Sequence, residues 1–399
     1  MYICSMITFI IAFTVTIVAI ADIVAYRRIS HRISSAAGRI TLACAIIIAD
    51  TLPYTPLALM LLFSDNSTAT MHITMWALTL YTLLTLPRIG LYIWWLPAKG
   101  RRANLIAGIC TAAAIFGVLI YGVVKTREDV EVRNVVMSFD NLPSAFDGYR
   151  IALFSDLHIG TLLNPQKECR RVVEAINLAH ADAVLFGGDL VNIRHTELTP
   201  QIAKALEEVR SRDGVYAILG NHDRGVYIKD SVRLSLEENT ERLAEQIRDM
   251  GWQLLRDSVA YIHRGADSIA IVGIDFSDAL LDYKHSFDTP ENLNVADIFH
   301  PIPGSTFRIT LSHLPQVWHL LRGENHSDLT LAGHVHASQI KFRCLGKSLS
   351  PAMLMYKEWS GLYEEQGSRL YINDGIGAVG FFMRLGARPE ITVIELKRE

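Results

Sequence analysis

The sequence predicts a membrane-spanning helical segment followed by an α/β domain. Residues 1–124 contain four apolar stretches and very few acidic residues, whereas nearly all Asp and Glu residues follow Arg127. After residue 149, short apolar runs of strand length alternate with stretches of helical periodicity. We therefore expect a four-helix transmembrane domain over 1–124, a linker with an edge strand over 125–148, and an α/β domain over 149–399.

The composition limits the class of protein. Half of the 399 residues are hydrophobic, which is high for a soluble chain, and the formal net charge is −3. This charge gives no sign of a nucleic-acid-binding surface, so no nucleic-acid partner is expected. The five cysteines form no CxxC pair, which excludes a cysteine-rich metal site or redox motif. Cys169 and Cys344 could form a disulfide outside the cytoplasm, but two isolated cysteines make this the less favoured interpretation.

The four apolar stretches lie at 7–26, 40–63, 73–96 and 103–124. Each is close to the length of about 20 residues that spans the hydrocarbon core of a bilayer. A cleaved signal peptide is the alternative for the first stretch, because Ala19-Ile20-Ala21 resembles a cleavage site. No Lys or Arg precedes that stretch, and Arg27 and Arg28 follow it, so we favour a retained helix.

The charges of the loops predict the orientation of these helices. The first and third loops are basic, whereas the second carries only the acidic Asp65. The basic residues are Arg27, Arg28, Arg32 and Arg39 in the first loop and Lys99, Arg101 and Arg102 in the third. Because basic loops stay in the cytoplasm, the amino terminus and all residues after Val124 are expected outside it.

Three ionisable side chains lie inside the apolar stretches, namely Asp22, Asp50 and Arg88. Intramembrane charges are functional candidates by default. At about 1.5 Å of rise per residue, Asp50 and Arg88 lie at similar depths of roughly 12–15 Å. We favour a structural role in which these two side chains neutralise each other.

From residue 125 the composition becomes charged and mixed, and the β-branched residues of Val130–Met137 predict an edge strand. Within 149–399, helical spacing predicts helices over 165–180, 199–209 and 237–250.

Five apolar runs in this domain are each followed by Asp, His or Asn. A polar side chain at the carboxyl end of a strand points into the crevice where open α/β sheets bind ligands. One such residue indicates little, but five strand ends of this kind together predict one metal site. The runs and the polar residues after them are Ile151–Phe154 with Asp156 and His158, Val184–Phe186 with Asp189, Val215–Leu219 with Asn221, His222 and Asp223, Ile309–Leu311 with His313, and Leu329–Ala332 with His334 and His336.

In this order, Asp-x-His, Gly-Gly-Asp, Gly-Asn-His-Asp, Ser-His and Gly-His-x-His resemble the calcineurin-like metallophosphoesterases, and in particular their membrane-associated bacterial branch. The resemblance covers roughly 149–399 and includes Trp359–Tyr363, Gly375–Gly377 and Arg388–Thr392. It implies a β-sandwich flanked by α-helices.

The resemblance also implies a binuclear centre of divalent metal ions. Its expected ligands are Asp156, His158 and His336 for the first ion, Asn221, His313 and His334 for the second, and Asp189 as the bridge. Carboxylate, imidazole and amide donors suit Mn, Fe or Zn. Two such ions activate a water molecule and neutralise phosphate oxygens during displacement. His222 is expected to stabilise or protonate the leaving oxygen, and Asp223 to orient His222, to cap the next helix, or both.

The expected function is therefore hydrolysis of a phosphoester, phosphodiester or pyrophosphate by a membrane-tethered enzyme. A phosphorylated small molecule, a lipid or a nucleotide-sugar is the expected substrate. The alternatives are a non-catalytic membrane sensor or scaffold and, less favoured, transport by the four helices. Arg224 is a further candidate for a phosphate contact. Ala337 and Ser338 replace glycines that are common in related chains, and Asp374 replaces a basic residue, so we expect an altered pocket rim.

Overall fold

The computed structural model describes residues 2–55, 58–59, 67–97, 102–229, 234–322 and 327–399, with side chains from residue 11 onward. The chain forms two compact units. The first comprises Met1–Lys125 and Val379–Met383, and the second comprises Thr126–Ala378 and Arg384–Glu399. Of the loop residues used to predict orientation, Asp65, Lys99 and Arg101 lie outside the described residues.

The first unit is helical. Its helices are α1 (Tyr2–Ser30), α2 (Ala36–Thr51), α3 (Thr68–Trp95) and α4 (Arg102–Val124). Three segments of the described chain are long and apolar enough to cross a membrane: Ala36–Tyr54, Thr68–Trp95 and Arg102–Glu128. The prediction of apolar helices before the α/β domain is confirmed for these three, and a membrane span by α1 stays a prediction.

Three charged side chains inside the helices of this unit, Asp22, Asp50 and Arg88, form one cluster. Arg88 of α3 forms ion pairs with both Asp22 of α1 and Asp50 of α2, and its guanidinium also donates to the Ala49 carbonyl at 2.9 Å. The Tyr92 hydroxyl donates to Asp22. The predicted Asp50–Arg88 pair is confirmed, and Asp22 is an additional member. Because an unpaired buried charge is strongly destabilising, this cluster ties three helices together.

The second unit contains two six-stranded sheets and a hairpin. The first sheet has the order β1 (Glu131–Phe139), β14 (Glu390–Arg398), β2 (Arg150–Phe154), β3 (Ala183–Phe186), β4 (Val215–Ala217), β5 (Gln253–Leu254). The second has the order β12 (Gly361–Glu365), β13 (Ser368–Ile372), β9 (Leu329–Ala332), β8 (Phe307–Ser312), β7 (Asp267–Ile274), β6 (Ser258–Arg264). The hairpin pairs β10 (Phe342–Cys344) with β11 (Lys347–Leu349).

The sheets pack face to face because alternate side chains of each buried strand point to opposite faces. In β2, Ile151 and Leu153 pack between the sheets against Ile271 and Ile309 of the second sheet. Ala152 and Phe154 point the other way, toward the helices. The helices on that face are α5 (Pro165–Leu178), α6 (Pro200–Leu206) and α7 (Leu236–Asp249), and the short α8 (Ala296–Phe299) packs on the second sheet. The predicted β-sandwich flanked by α-helices is confirmed.

The segment before residue 149 is part of this sandwich. β1 lies at the edge of the first sheet and pairs in parallel with β14 along its whole length, so the predicted edge strand is confirmed. Cys169 is buried in α5, Cys344 is exposed in β10, and both are free thiols. The less favoured disulfide is therefore not formed.

Candidate metal centre

Strand direction brings the predicted ligands to one edge of the sandwich. β2, β3 and β4 are mutually parallel in the first sheet, as are β8 and β9 in the second. Their carboxyl ends lie together: the backbone amide of His334, after β9, donates to the Asp156 carboxylate, after β2, at 3.0 Å. His313 Nδ1 donates to the Gly187 carbonyl at 2.8 Å, which joins β8 to β3.

Five of the seven predicted ligands have left-handed backbone conformations. The φ angles are 54° at Asp156, 45° at His158, 59° at Asp189, 71° at His334 and 53° at His336. This conformation costs a non-glycine residue about 1–2 kcal/mol. Such strain persists where the surrounding structure fixes it, and it is concentrated at functional sites. The surrounding structure therefore holds these residues in strained backbone conformations that position the ligand side chains.

At two glycines of the motifs, a ligand carboxylate lies so close to the backbone that no side chain fits. A Cβ atom at Gly220 would overlap the Asp189 carboxylate, and one at Gly333 would overlap the Asp156 carboxylate. Any side chain at either position would push a predicted ligand out of place.

Asp156, His158 and His336 form the first donor cluster, and all three are buried. His336 Nε2 lies 3.1 Å from His158 Nε2 and 3.3 Å from Asp156 Oδ1. The second cluster contains Asn221, His313 and His334. His313 Nε2 lies 3.1 Å from Asn221 Oδ1 and 3.2 Å from His334 Nδ1.

Asp189 lies between these two clusters. Its Oδ2 is 3.1 Å from His313 Nε2 in the second cluster and 3.7 Å from His158 Nε2 in the first. Its Oδ1 accepts a hydrogen bond from the backbone amide of His222 at 2.8 Å. One carboxylate oxygen therefore faces both clusters while the other is fixed by the backbone.

The donors fit metal ions in both chemistry and spacing. At metal–nitrogen distances of 2.0–2.1 Å, neighbouring ligand atoms lie about 3.0–3.4 Å apart. The closest donor pairs here, at 3.1–3.3 Å, have this spacing. Carboxylate, imidazole and amide donors without sulfur suit Mn, Fe or Zn.

The buried Asp189 and His313 shift each other's pKa values. Burial raises the pKa of Asp189, but the nearby His313 and His222 outweigh it and hold that pKa well below its usual value. Burial lowers the pKa of His313, but Asp189 outweighs it and raises the pKa to about 9. Asp189 and His313 thus stabilise each other's charged forms, and a bound cation would take the place of the His313 proton, because a metal ligand must be deprotonated.

His222 lies beside the first cluster, with its ring centroid 4.6 Å from that of His158 in an edge-to-face arrangement. Its Nδ1 donates to the Asn192 carbonyl at 2.5 Å, so that Nε2 is the ring nitrogen left for other contacts. Burial lowers the pKa of His222, whereas the charge of Asp189 acts to raise it.

The expected contact between Asp223 and His222 is wrong. The buried Asp223 carboxylate accepts hydrogen bonds from the backbone amides of Asp189 at 2.7 Å, Val191 at 3.0 Å and Gly220 at 2.9 Å. It therefore ties the turn after β3 to the turn after β4, and the Asn192 carbonyl orients His222. Burial, together with the charge of Asp189, raises the pKa of Asp223 to about 7. Asp223 is not a helix cap either, because Ser235 caps α7.

Sequence reasoning missed a segment after β7 that closes the second cluster. The Lys284 carbonyl interacts with His334 Nε2 and accepts the Tyr356 hydroxyl at 2.8 Å. The Lys284 ammonium lies 4.9 Å from the ring centroid of Tyr227, whose hydroxyl accepts from Asn221 at 3.0 Å. Burial lowers the pKa of Lys284. The sequence carried no signal for this segment, because the adjacency of β7 to the His313-bearing β8 is seen only in the structure.

Arg384 was also missed. Its fully buried guanidinium lies 3.2 Å from His336 Nδ1 and donates to the carbonyls of Gly377, Asp374 and Ala387. Burial lowers the pKa of Arg384 to about 10. Arg384 thus fastens the segment before β14 around His336.

The structure shows the surroundings of three other residues that the sequence analysis named. Asp374 does not lie at a pocket rim, because it is fully buried and binds Lys341 Nζ at 2.8 Å. Ala337 is also buried. Arg224 forms an ion pair with Asp278 at 3.3 Å, and its contact with a phosphate stays a prediction.

Comparison with known proteins agrees with this geometry. Residues 149–338 match the calcineurin-like phosphoesterase family. A Danio rerio protein named transmembrane protein with metallophosphoesterase domain is 31% identical over 304 residues, which cover 74% of this chain and 63% of that protein. The chain thus spans less than two thirds of the length of this relative.

YkuE of Bacillus subtilis, named an uncharacterized metallophosphoesterase, is 26% identical over 301 residues, which cover 75% of this chain and 96% of that protein. Among solved structures, phosphopantetheinyl hydrolase from Mycobacterium tuberculosis aligns with a TM-score of 0.34 and 15% identity, over 56% of this chain and 88% of that one. The sandwich and the donor clusters agree with the family match, and residues 149–338 are similar to a calcineurin-like phosphoesterase domain.

Proposed function

We propose that this chain is a membrane-tethered phosphohydrolase that uses two divalent metal ions to cleave a phosphoester, phosphodiester or pyrophosphate. The observation that carries the proposal is the position of Asp189, whose Oδ2 lies between two buried clusters of nitrogen and oxygen donors. A shared carboxylate between two donor sets is what a pair of cations needs, because an anion between them offsets their repulsion.

Asp156, His158 and His336 would hold one ion, Asn221, His313 and His334 the other, and Asp189 both. Bound ions of this kind lower the pKa of water and neutralise phosphate oxygens. The protein contributes fixed donors in a buried site, where electrostatic interactions are stronger than in water.

His222 is proposed to stabilise or protonate the leaving oxygen. Its Nδ1 is engaged with the Asn192 carbonyl, so Nε2 is the atom that would carry the transferred proton. A bound phosphate anion would favour the imidazolium form, because an opposite charge nearby raises the pKa of a histidine.

The substrate is proposed to be a phosphorylated small molecule or a lipid, with a nucleotide-sugar as a further candidate. Lys284 supports this class, because its ammonium at the edge of the second cluster can neutralise a second phosphate group or a diester oxygen. The apolar helices that precede the domain support a membrane-associated substrate.

A non-catalytic sensor or scaffold is the competing function. A vestigial domain would have lost part of its donor set, whereas all seven predicted ligands are retained and brought together. The complete set therefore favours catalysis.

The test is an activity screen of the full chain, first stripped of metal and then supplied with Mn²⁺, Fe²⁺ or Zn²⁺. Nitrophenyl monoesters, diesters and lipid pyrophosphates would be compared. We expect metal-dependent turnover of at least one class. Stoichiometric binding of two ions without turnover of any class would instead support the sensor.

A further inference from the structure

A cavity of about 670 Å³ lies among the helices of the first unit. Each of the described helices α1 to α4 contributes lining residues. Much of the wall is apolar, and the aliphatic side chains that form it are Ile29, Leu42, Ile46, Leu91 and Leu105. The volume is within the range of about 300–1,000 Å³ that is usual for ligand sites.

Three arginines line the same cavity: Arg28 at the end of α1, Arg32 just after it, and Arg102 at the start of α4. The carboxylates Asp22 and Asp50 both pair with Arg88. This leaves Arg28, Arg32 and Arg102 without an ion-pair partner among the described residues. Arg28 makes one long contact, to the Trp95 carbonyl at 3.5 Å. The cavity therefore combines three available positive charges with an apolar wall.

The interactions of Asp22, the one carboxylate among the described lining residues, favour an anionic ligand over a zwitterionic one. Asp22 is buried and is already engaged by the Arg88 guanidinium and the Tyr92 hydroxyl. It is therefore not available as the counter-ion of a choline or ethanolamine group. The guanidinium fork of arginine, by contrast, matches the geometry of phosphate oxygens.

We propose that this cavity is a binding site for an anionic phospholipid. The phosphate headgroup would contact Arg28, Arg32 and Arg102, and the acyl chains would lie along the apolar wall. Apolar spans flanking the cavity place it where membrane lipid is the available amphiphile. This site goes beyond the proposed phosphohydrolase activity and does not depend on it.

The test is native mass spectrometry of the full chain in detergent with added dioleoyl phosphatidic acid. We expect phosphatidic acid to remain bound in preference to dioleoyl phosphatidylcholine. The double variant Arg28→Gln, Arg102→Gln should weaken its binding by about thirtyfold, given the contribution of each basic residue to anionic-lipid binding.

Arg27→Gln is the matched control, because Arg27 lies one residue away, is exposed and does not line the cavity. It should leave binding unchanged. Equal retention of the two lipids by the wild-type chain would overturn the proposal, and this comparison does not require the double variant to fold. Displacement of phosphatidic acid by equimolar inorganic phosphate would identify a site for free phosphate and would also overturn it.

Discussion

The backbone and both carboxylate oxygens of Asp189 are constrained by the candidate centre. Its backbone is left-handed, its Oδ1 accepts the His222 amide, and its Oδ2 faces both donor clusters. Replacing the carboxylate by an amide keeps the shape but removes the negative charge that two cations would share.

We therefore expect Asp189→Asn to abolish metal binding and activity while the fold is retained. Loss of an outer partner of a metal ligand costs about 10–100-fold in affinity, and loss of the bridge should cost more. Calorimetric titration with Mn²⁺ measures the effect, and circular dichroism checks the fold. Asp278→Asn, at an exposed carboxylate, is the control. Full activity of Asp189→Asn protein would contradict the proposed centre.

His222→Ala should separate catalysis from metal binding. His222 is not among the residues assigned to either ion, so metal content should persist while turnover falls by roughly 10²–10⁴, as for a lost general acid. The loss should be smaller for nitrophenyl esters than for alkyl esters, because a good leaving group needs less protonation. If both ester types lose activity equally, His222 acts through charge stabilisation alone.

The ligands could be predicted from sequence because each follows an apolar strand within a few residues. The role of Asp223 could not be predicted, because its partners are backbone amides of two different turns. Lys284 was missed for a similar reason. Lys284 contacts the site through its carbonyl oxygen and through a cation–π contact of its ammonium with Tyr227. Neither contact can be recognised from the order of residues in the sequence.

Arg384 helps to hold the connection between β13 and β14 at the centre, together with backbone hydrogen bonds such as that from the Gly377 amide to the Asp156 carbonyl at 2.7 Å. Arg384 binds three backbone carbonyls of that segment and lies beside His336 Nδ1, so it fixes a predicted ligand and its surroundings together. A lysine retains the charge but has no planar fork with which to reach several acceptors.

Arg384→Lys should therefore lower metal affinity by about 10–100-fold, the usual cost of losing a partner of a metal-ligating histidine. Arg388→Lys is the control in the same segment, because Arg388 is partly exposed and pairs with Asp129 at 2.8 Å. Metal content after dialysis against a weak chelator distinguishes the two. Equal retention in both variants would show that Arg384 has no influence on the centre.

Periodicity predicted most of the regular elements. The three predicted helices correspond to α5, α6 and α7, and the five strands that precede the ligands correspond to β2, β3, β4, β8 and β9. The hairpin of β10 and β11 was not predicted, because all six of its residues are exposed and each strand is only three residues long. A strand can be recognised in a sequence when one of its faces is buried, because burial requires apolar residues at alternate positions.

Composition predicted apolar helices before the sandwich, and three are found in the described part of the chain. It did not predict that Val379–Met383 belongs to the first unit, because that assignment depends on tertiary contacts far apart in sequence. The order of strands in the two sheets could not be predicted either. Periodicity indicates which face of a strand is buried, but it does not indicate which strands lie next to each other.

The charges of the loops predict the side of the membrane on which the domain lies. The first loop is basic, and Arg102 and its neighbours make the third basic, so both loops should be cytoplasmic. Four spans would return the chain to the side of its amino terminus, outside the cytoplasm. Cleavage after Ala21 would leave three spans with the same loops inside, so the domain would not move.

A fusion of alkaline phosphatase at Glu399 tests this in intact cells, because that enzyme is active only after export. We expect an active fusion, and a fluorescent cytoplasmic reporter at the same position should be dark. Replacing the arginines at 27, 28, 32 and 39 by glutamine should weaken the preference, since these residues provide much of the bias. An inactive phosphatase fusion with a bright cytoplasmic reporter would overturn the orientation. The substrate would then have to be sought inside the cell.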